Sequence, residues 1–204
     1  FAALSLTRSP INNLMWSHYA DEHKGIVIGL DVVEAGLCNI QNSIIPASHG
    51  DIIYTKTIPK SQGFDVSDSN VKSVLSSTSY NTSNFEFFKK AFLYKSLDWA
   101  YEEEVRVLKN VGFRNFDEID EINNAYSNSS GKWQHDYKRK DLFLYQFPST
   151  SIKEVYFGCS CHSAERAKQL IDLLDDSVKV KSCMINRKSF ELCVGNFFGE
   201  KETK

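Results

Sequence analysis

Residues 26–33 read IVIGLDVV, an almost unbroken apolar run that is rich in β-branched side chains. A strand with one solvated face alternates apolar and polar residues, whereas a continuous apolar run is typical of a strand that is covered on both faces. The run therefore predicts a strand over Ile26–Val33 that is buried on both sides. Such a strand must lie inside a sheet, and this restricts the chain to folds that contain one.

The remaining chain alternates between strand and helix patterns. Further strands are predicted over residues 1–7, 51–55, 102–108, 141–147, 152–157, 179–185 and 190–194. Apolar residues at helical spacing predict helices over residues 14–19, 85–97 and 163–174, with a shorter one near 71–75. This order predicts an α+β fold with a mixed, largely antiparallel sheet and a few helices.

One domain is expected over residues 1–198, because a chain of 204 residues that is 42% hydrophobic can build one substantial core. Residues 110–138 are polar and rich in turn formers, so they are predicted to be a surface insertion. Residues 199–204 are expected to form a flexible tail. Because the chain opens on Phe1 within a strand pattern, we expect a further N-terminal segment of the site upstream.

Charge and cysteine content argue against several classes of protein. The formal net charge is -2, which gives no sign of a nucleic-acid coat or a membrane-surface binder. Five cysteines in a chain of this length do not fit a disulfide framework and favour a reducing cytoplasm. No apolar stretch is long enough for a membrane span. Cys159 and Cys161 with His162 lack a second pair of ligands, so no metal site is predicted.

A carboxylate pair stands in the stretch KSLDWAYEEEVR, residues 95–106. Strand alternation would place Glu102, Glu104 and Arg106 on one face. Two carboxylates this close raise each other's pKa and can hold a pair of hydroxyl groups. Lys95 precedes them and can supply a cation. The alternative is a solvated strand face on which Arg106 balances two glutamates.

A ring-rich turn, MWSHYADEHKG, occupies residues 15–25. His18 and His23 are five residues apart, which does not fit a metal-binding pair on a helix. Trp16 and Tyr19 lie on one side of the predicted helix. Core packing is the alternative for Trp16, and polar contacts at the domain edge are the alternative for His18 and Tyr19. With the carboxylate pair, these rings could enclose a candidate site.

The two stretches together, with the late strand Val155–Gly158, resemble a bacterial domain-of-unknown-function family found beside phage-defence and abortive-infection genes. That family has no settled activity. A second resemblance is to ADP-ribosyltransferases of the Arg / Ser-Thr-Ser / Glu-x-Glu type, on Leu4-Ser5-Leu6-Thr7, a helix, and later Glu102-Glu103-Glu104. This resemblance implies a split sheet and the cleavage of NAD between nicotinamide and ribose.

The roles that the resemblance implies follow the chemistry of that cleavage, which passes through an oxocarbenium-like state. Glu104 would stabilise the developing cation, Glu102 would orient or deprotonate the acceptor, and His18 would bind a ribose or phosphate oxygen. The expected binding residues are Trp16 and Tyr19 for nicotinamide, Ser5 and Thr7 as supports of Glu104, and Lys95 and Arg106 as cations. NAD would be the substrate, no metal is expected, and the acceptor would be a protein, a nucleic acid or water.

Two other functions stay open at this point. A non-enzymatic sensor or adaptor domain of a defence system could use the same aromatic cleft to bind a nucleotide or a protein. A nuclease is the third possibility, although only Lys95, Glu102 and Glu104 resemble a metal-dependent constellation. Exposed apolar or aromatic surface would favour the adaptor, and buried carboxylates beside a cleft would favour the enzyme.

Overall fold

The computed structural model describes residues 1–59, 69–111, 132–135 and 143–196. The predicted tail and most of the predicted insertion lie outside these residues. The described chain forms two compact units, one built from Phe1–Arg8 with Val32–Pro148 and the other from Ser9–Asp31 with Ser149–Lys204. The single domain over residues 1–198 stays a prediction.

Helices combined with mostly antiparallel pairing confirm the predicted α+β class. The described elements in chain order are β1 (Ala2–Thr7), α1 (Asn13–Tyr19), β2 (Ile26–Leu30), β3 (Ile53–Thr55), α2 (Ser69–Leu75), α3 (Thr82–Phe92), β4 (Tyr94–Ser96), β5 (Glu104–Lys109), β6 (Lys132–His135), β7 (Phe143–Gln146), β8 (Ile152–Phe157), α4 (Ala164–Ile171), β9 (Lys179–Ile185) and β10 (Leu192–Asn196). Short 3-10 helices occupy Ala47–His49, Leu97–Glu102 and Ser149–Ser151. None of the helices that the structure describes combines the length and the apolar composition needed to cross a membrane.

Within the described residues, the first unit contains three pairs of strands. β1 runs antiparallel to β5, with Ser5 opposite Arg106 and Thr7 opposite Glu104. β3 and β4 are parallel, and β6 and β7 are antiparallel. The β6 strand was not predicted, since its residues fall within the stretch assigned to an irregular insertion. Two clusters of buried side chains form the core of this unit. One consists of Ile44, Ile45, Ile52, Phe88, Leu93 and Leu108, and the other includes Ala35, Leu37, Val105 and Val107.

Helix α3 shows how strand pairing ends a helical pattern. The apolar spacing predicts a helix over residues 85–97, and this is wrong at both ends. Asn81 caps the start, with its side chain accepting a hydrogen bond from the Ser83 N–H at 2.8 Å. The helix ends at Phe92 because the next residues, Tyr94–Ser96, pair with β3 instead. This early end releases Lys95 from the helix and places it on a strand.

The second unit is built around a four-stranded sheet with the order β10-β9-β8-β2. β8 and β9 are parallel and connected through α4, while the outer pairs are antiparallel. The predicted burial of β2 on both faces is wrong, because Ile28 is 45% exposed. Exposure alternates along β2, an edge strand of its sheet: Ile26 and Ile28 are exposed on one face, whereas Val27 packs against the core on the other, so only one face is covered. The strand also ends at Leu30, before the predicted Val33.

A left-handed turn connects α1 to β2. Asp21, Glu22 and His23 all have positive φ angles, of 47°, 52° and 67°. The turn is held by the chain after β8: the Ser160 N–H donates to the His23 carbonyl at 3.0 Å, and the Gly158 N–H donates to the Gly25 carbonyl at 3.1 Å. Three consecutive residues in this conformation cost free energy, which these contacts offset.

Gly158 allows this close approach, because a Cβ atom there would overlap the carbonyl oxygen of His23. We expect Gly158→Ala to lower the free energy of unfolding by about 1–3 kcal/mol, the usual cost of overpacking. Gly195→Ala is a matched control in the same unit, since its Cβ would meet only the flexible methyl end of Met184. Urea unfolding measures both variants. Equal losses would show that the contact between Gly158 and the turn is not tight.

Candidate active site

Glu104 is the centre of a charged cluster in the first unit. Its Oε1 accepts hydrogen bonds from the Ser5 hydroxyl at 2.6 Å and from the Arg106 Nε at 2.6 Å. Its Oε2 accepts from the Arg106 Nη2 at 3.1 Å and from the Lys95 Nζ at 2.9 Å. Arg106 therefore grips the carboxylate with two nitrogens, the strongest arrangement for this pair of groups. The remaining Arg106 nitrogen, Nη1, donates to the Phe92 carbonyl at 2.7 Å.

Glu102 joins the cluster through Lys95, whose ammonium forms an ion pair with each of the two glutamates. The side chains of Glu102 and Glu104 are only 4% and 5% exposed. The alternative of a solvated strand face is therefore wrong. Two buried carboxylates and two cations give a cluster whose formal charges cancel, which is the condition for burying such groups.

Local backbone geometry brings the two glutamates together, and it differs from the predicted strand. Glu102 ends the 3-10 helix Leu97–Glu102, and Glu103 adopts a left-handed conformation with φ 46°. β5 begins only at Glu104. Alternation therefore explains why Glu104 and Arg106 share a face, whereas the left-handed Glu103 explains why Glu102 also reaches Lys95. Thr7 adds a support, since its hydroxyl donates to the Glu102 carbonyl at 2.7 Å.

The surroundings of Glu104 hold it in the ionised form. Burial would raise the pKa of this carboxyl, but hydrogen bonds from Arg106, Ser5 and Lys95 outweigh it and lower the pKa to about 2. Burial likewise works against the charge of Lys95, yet its bonds to Glu102 and Glu104 raise its pKa overall. At neutral pH Glu104 is thus ionised and Lys95 is protonated, and Glu104 cannot serve as a general acid.

The cations form the more accessible side of the cluster. The Lys95 and Arg106 side chains are 21% and 23% exposed, several times more than the carboxylates that they contact. The Lys95 ammonium lies 5.3 Å from the ring centroid of Trp99, which is 40% exposed. An anion and an aromatic ring on one ligand could therefore meet Lys95 and Trp99 together.

Tyr54 is a member of the cluster that the sequence patterns did not single out. It lies on β3 opposite Lys95 of β4, and its hydroxyl accepts a hydrogen bond from the Glu104 N–H at 2.8 Å. Burial raises the pKa of this hydroxyl, so it stays protonated at neutral pH. Only the parallel pairing of two short strands brings Tyr54 to this position. A local motif carries no signal for such a contact.

Six of the predicted site residues are thus brought together in the first unit: Ser5, Thr7, Lys95, Glu102, Glu104 and Arg106. Trp16, His18 and Tyr19 belong to the second unit. Their participation in the same site stays a prediction.

The three predicted site residues in the second unit differ in exposure. Trp16 is 1% exposed, donates from its indole nitrogen to the Pro10 carbonyl at 2.7 Å, and stacks on the ring of His23. Tyr19 is 64% exposed and makes an edge contact with the exposed His18 ring. Trp16 therefore packs in the core, as its alternative interpretation has it, whereas the rings of His18 and Tyr19 are exposed.

Among the residues that the structure describes, no group of three or more His, Cys, Asp or Glu side chains is placed to hold a metal ion.

Comparison with known families gives a match over less than half of the chain. Residues 15–107 match a family described as Protein of unknown function (DUF2971). The matched segment contains both stretches on which the resemblance to a family of unknown function was based, and it ends before Val155–Gly158. No curated protein and no solved structure matches the chain. The phage-defence context and the likeness to ADP-ribosyltransferases stay predictions.

Proposed function

We propose that the chain binds NAD and cleaves its bond between nicotinamide and ribose, as an ADP-ribosyltransferase or NAD glycohydrolase. One observation carries this proposal: Glu104 is a buried, ionised carboxylate held by Ser5, Lys95 and Arg106. A fixed anion of this kind is suited to a cationic transition state, because it needs no reorganisation when positive charge develops on the ribose. Its low pKa assigns it an electrostatic role and not proton transfer.

The remaining groups fit the parts of such a ligand. Lys95 contacts Glu104 with one nitrogen, whereas Arg106 contacts it with two, so Lys95 is the cation that shifts from Glu104 to a phosphate of the bound dinucleotide. That shift frees Glu104 Oε2 to accept a hydrogen bond from a ribose hydroxyl. Arg106 keeps its two bonds and holds the carboxylate in place. The bond from C1′ to nicotinamide then breaks, nicotinamide leaves as a neutral base, and an acceptor oxygen bonds to C1′ while Glu102 receives its proton.

The test is the release of nicotinamide from NAD by the purified protein. We expect Glu104→Gln to lower the rate by about 10²–10³-fold, the usual loss for one preorganised electrostatic group. Glu103→Gln is the matched control, because Glu103 is its exposed neighbour in the chain. Ser5→Ala is a milder variant that removes one support of Glu104 and keeps every charge. Wild-type rates in both Glu104→Gln and Ser5→Ala, with the fold intact, would refute the proposal.

A nucleotide-sensing domain without catalysis is the second candidate. It is favoured by the observation that both Glu104 oxygens already have two donors each, as in a purely structural cluster. In that case NAD would raise the melting temperature without any release of nicotinamide. A Lys95→Gln variant would lose this shift, because Lys95 is an accessible cation that lies beside the exposed ring of Trp99.

We further propose that this activity serves bacterial phage defence in the cytoplasm, with a protein or nucleic acid as acceptor. Cells that express the chain should then lose NAD during phage infection. Cells that express Glu104→Gln should keep their NAD and lose protection.

A further inference from the structure

A cavity of about 440 Å³ lies within the second unit, along helix α4. One of its walls consists of Ala164, Ala167, Lys168 and Ile171, which are spaced so that they lie on one side of the helix. The space exists because two of these four residues are alanines. Its volume falls in the range of small-molecule sites, about 300–1,000 Å³.

The cavity lies at the carboxyl end of β8, where the chain turns into α4. Its other wall is the end of β8 and the loop that follows, from Phe157 to Cys161. The chain leaves β8, passes through α4 and returns in β9, parallel to β8. Ligands of parallel β-α-β units bind at the carboxyl ends of the strands, where the chain turns into the helix. The position of the cavity is therefore the one at which such a unit binds ligands.

The lining of the cavity combines a buried, mostly apolar floor with two exposed polar side chains at its rim. Phe157 and Ala167 are buried, and Ser182, which also lines the cavity, is 2% exposed. At the rim, the side chains of Lys168 and His162 make no hydrogen bond or ion pair with any residue that the structure describes. A cation without a carboxylate partner beside an apolar cavity is complementary to an anion that carries an apolar body.

We propose that this cavity binds a small organic anion, with its apolar body between α4 and Phe157 and its charged group at Lys168. The site does not depend on the proposed cleavage of NAD, since its lining shares no residue with the Glu104 cluster or with Trp16, His18 and Tyr19. Cys159 and Cys161 line the same cavity and give it a chemical reporter. A bound ligand should shield their thiols from alkylation.

The test uses phenyl phosphate and benzoate as probes, with benzyl alcohol as the uncharged comparison. Binding is measured as the rise in melting temperature and as slower iodoacetamide labelling of the peptide that contains Cys159 and Cys161. We expect at least one anion to bind more tightly than benzyl alcohol, and the tighter of the two identifies the phosphate or the carboxylate as the preferred group. Lys168→Ala should weaken binding about tenfold or more, as the loss of a charge-assisted hydrogen bond does.

Two helix variants separate binding in the cavity from binding elsewhere. Ala164→Leu fills the cavity from an exposed helical position and should abolish protection of the thiols. Gln169→Leu is the matched control, because it adds a leucine to an exposed position of α4 that does not line the cavity. The proposal is overturned if neither anion binds better than benzyl alcohol, or if Lys168→Ala and Ala164→Leu bind like the wild type. Should Ala164→Leu not fold, the exposed Lys168 variant decides alone.

Discussion

The ionised Glu104 side chain is expected to contribute about 3 kcal/mol to the free energy of unfolding at neutral pH. Glu104→Gln should lack this contribution at every pH, and the wild-type protein should lose it in acid. The pKa of Glu104 falls from 4.5 to about 2 in the folded protein, because hydrogen bonds from Arg106, Ser5 and Lys95 outweigh the opposing effect of burial. Each pKa unit corresponds to about 1.4 kcal/mol. Since the folded pKa lies below the unfolded one, this contribution is complete above pH 4.5 and disappears as the pH falls towards about 2.

Urea unfolding of the wild type and of Glu104→Gln over this pH range measures the term as the difference between two curves. At neutral pH the variant should be less stable by about 3–5 kcal/mol, because Lys95 and Arg106 lose a buried counter-charge. The two curves should approach each other in acid. Glu103→Gln is again the control, and its curve should run parallel to that of the wild type. Parallel curves for Glu104→Gln would show that the carboxylate is not held in its ionised form.

The parts of this cluster that the sequence predicts are those set by local geometry. Glu104 and Arg106 lie on one face of β5 because strand side chains alternate, and their spacing alone shows it. The contact of Ser5 with Glu104 depends on the register between β1 and β5, which are almost a hundred residues apart in the chain. Its prediction came from the order of motifs in a resembling family and not from any physical pattern.

The parts that the sequence did not predict depend on pairing between distant segments. Lys95 was assigned to the end of a helix, yet pairing of β4 with β3 places it on a strand beside Tyr54. The exposure of one face of β2 depends on which side of its sheet other segments cover, and its own apolar composition does not reveal this. Glu102 reaches the cluster through a left-handed residue that is not glycine, a conformation for which the stretch of three glutamates gives no signal.

Trp16→Ala is expected to lower the free energy of unfolding by about 3–5 kcal/mol, the usual cost of truncating a buried tryptophan. Trp16 is 1% exposed and packs with Ala20, Tyr156, Cys183 and Leu192 between α1 and the sheet of the second unit. The variant would leave a cavity beneath α1 and would orphan the Pro10 carbonyl that the indole N–H binds at 2.7 Å. Denaturant unfolding in the absence of any ligand measures this cost.

Two controls separate packing from ligand contact. Trp16→Phe keeps most of the apolar volume but loses the indole N–H, so it should cost much less than alanine. Tyr19→Ala changes a side chain that is 64% exposed on the same helix, and it should leave stability nearly unchanged. If Trp16→Ala were as stable as Tyr19→Ala, the indole would not be part of the core. Trp16 would then again be a candidate for stacking on nicotinamide, as Tyr19 is, because a ring that contributes nothing to folding is available to bind a ligand.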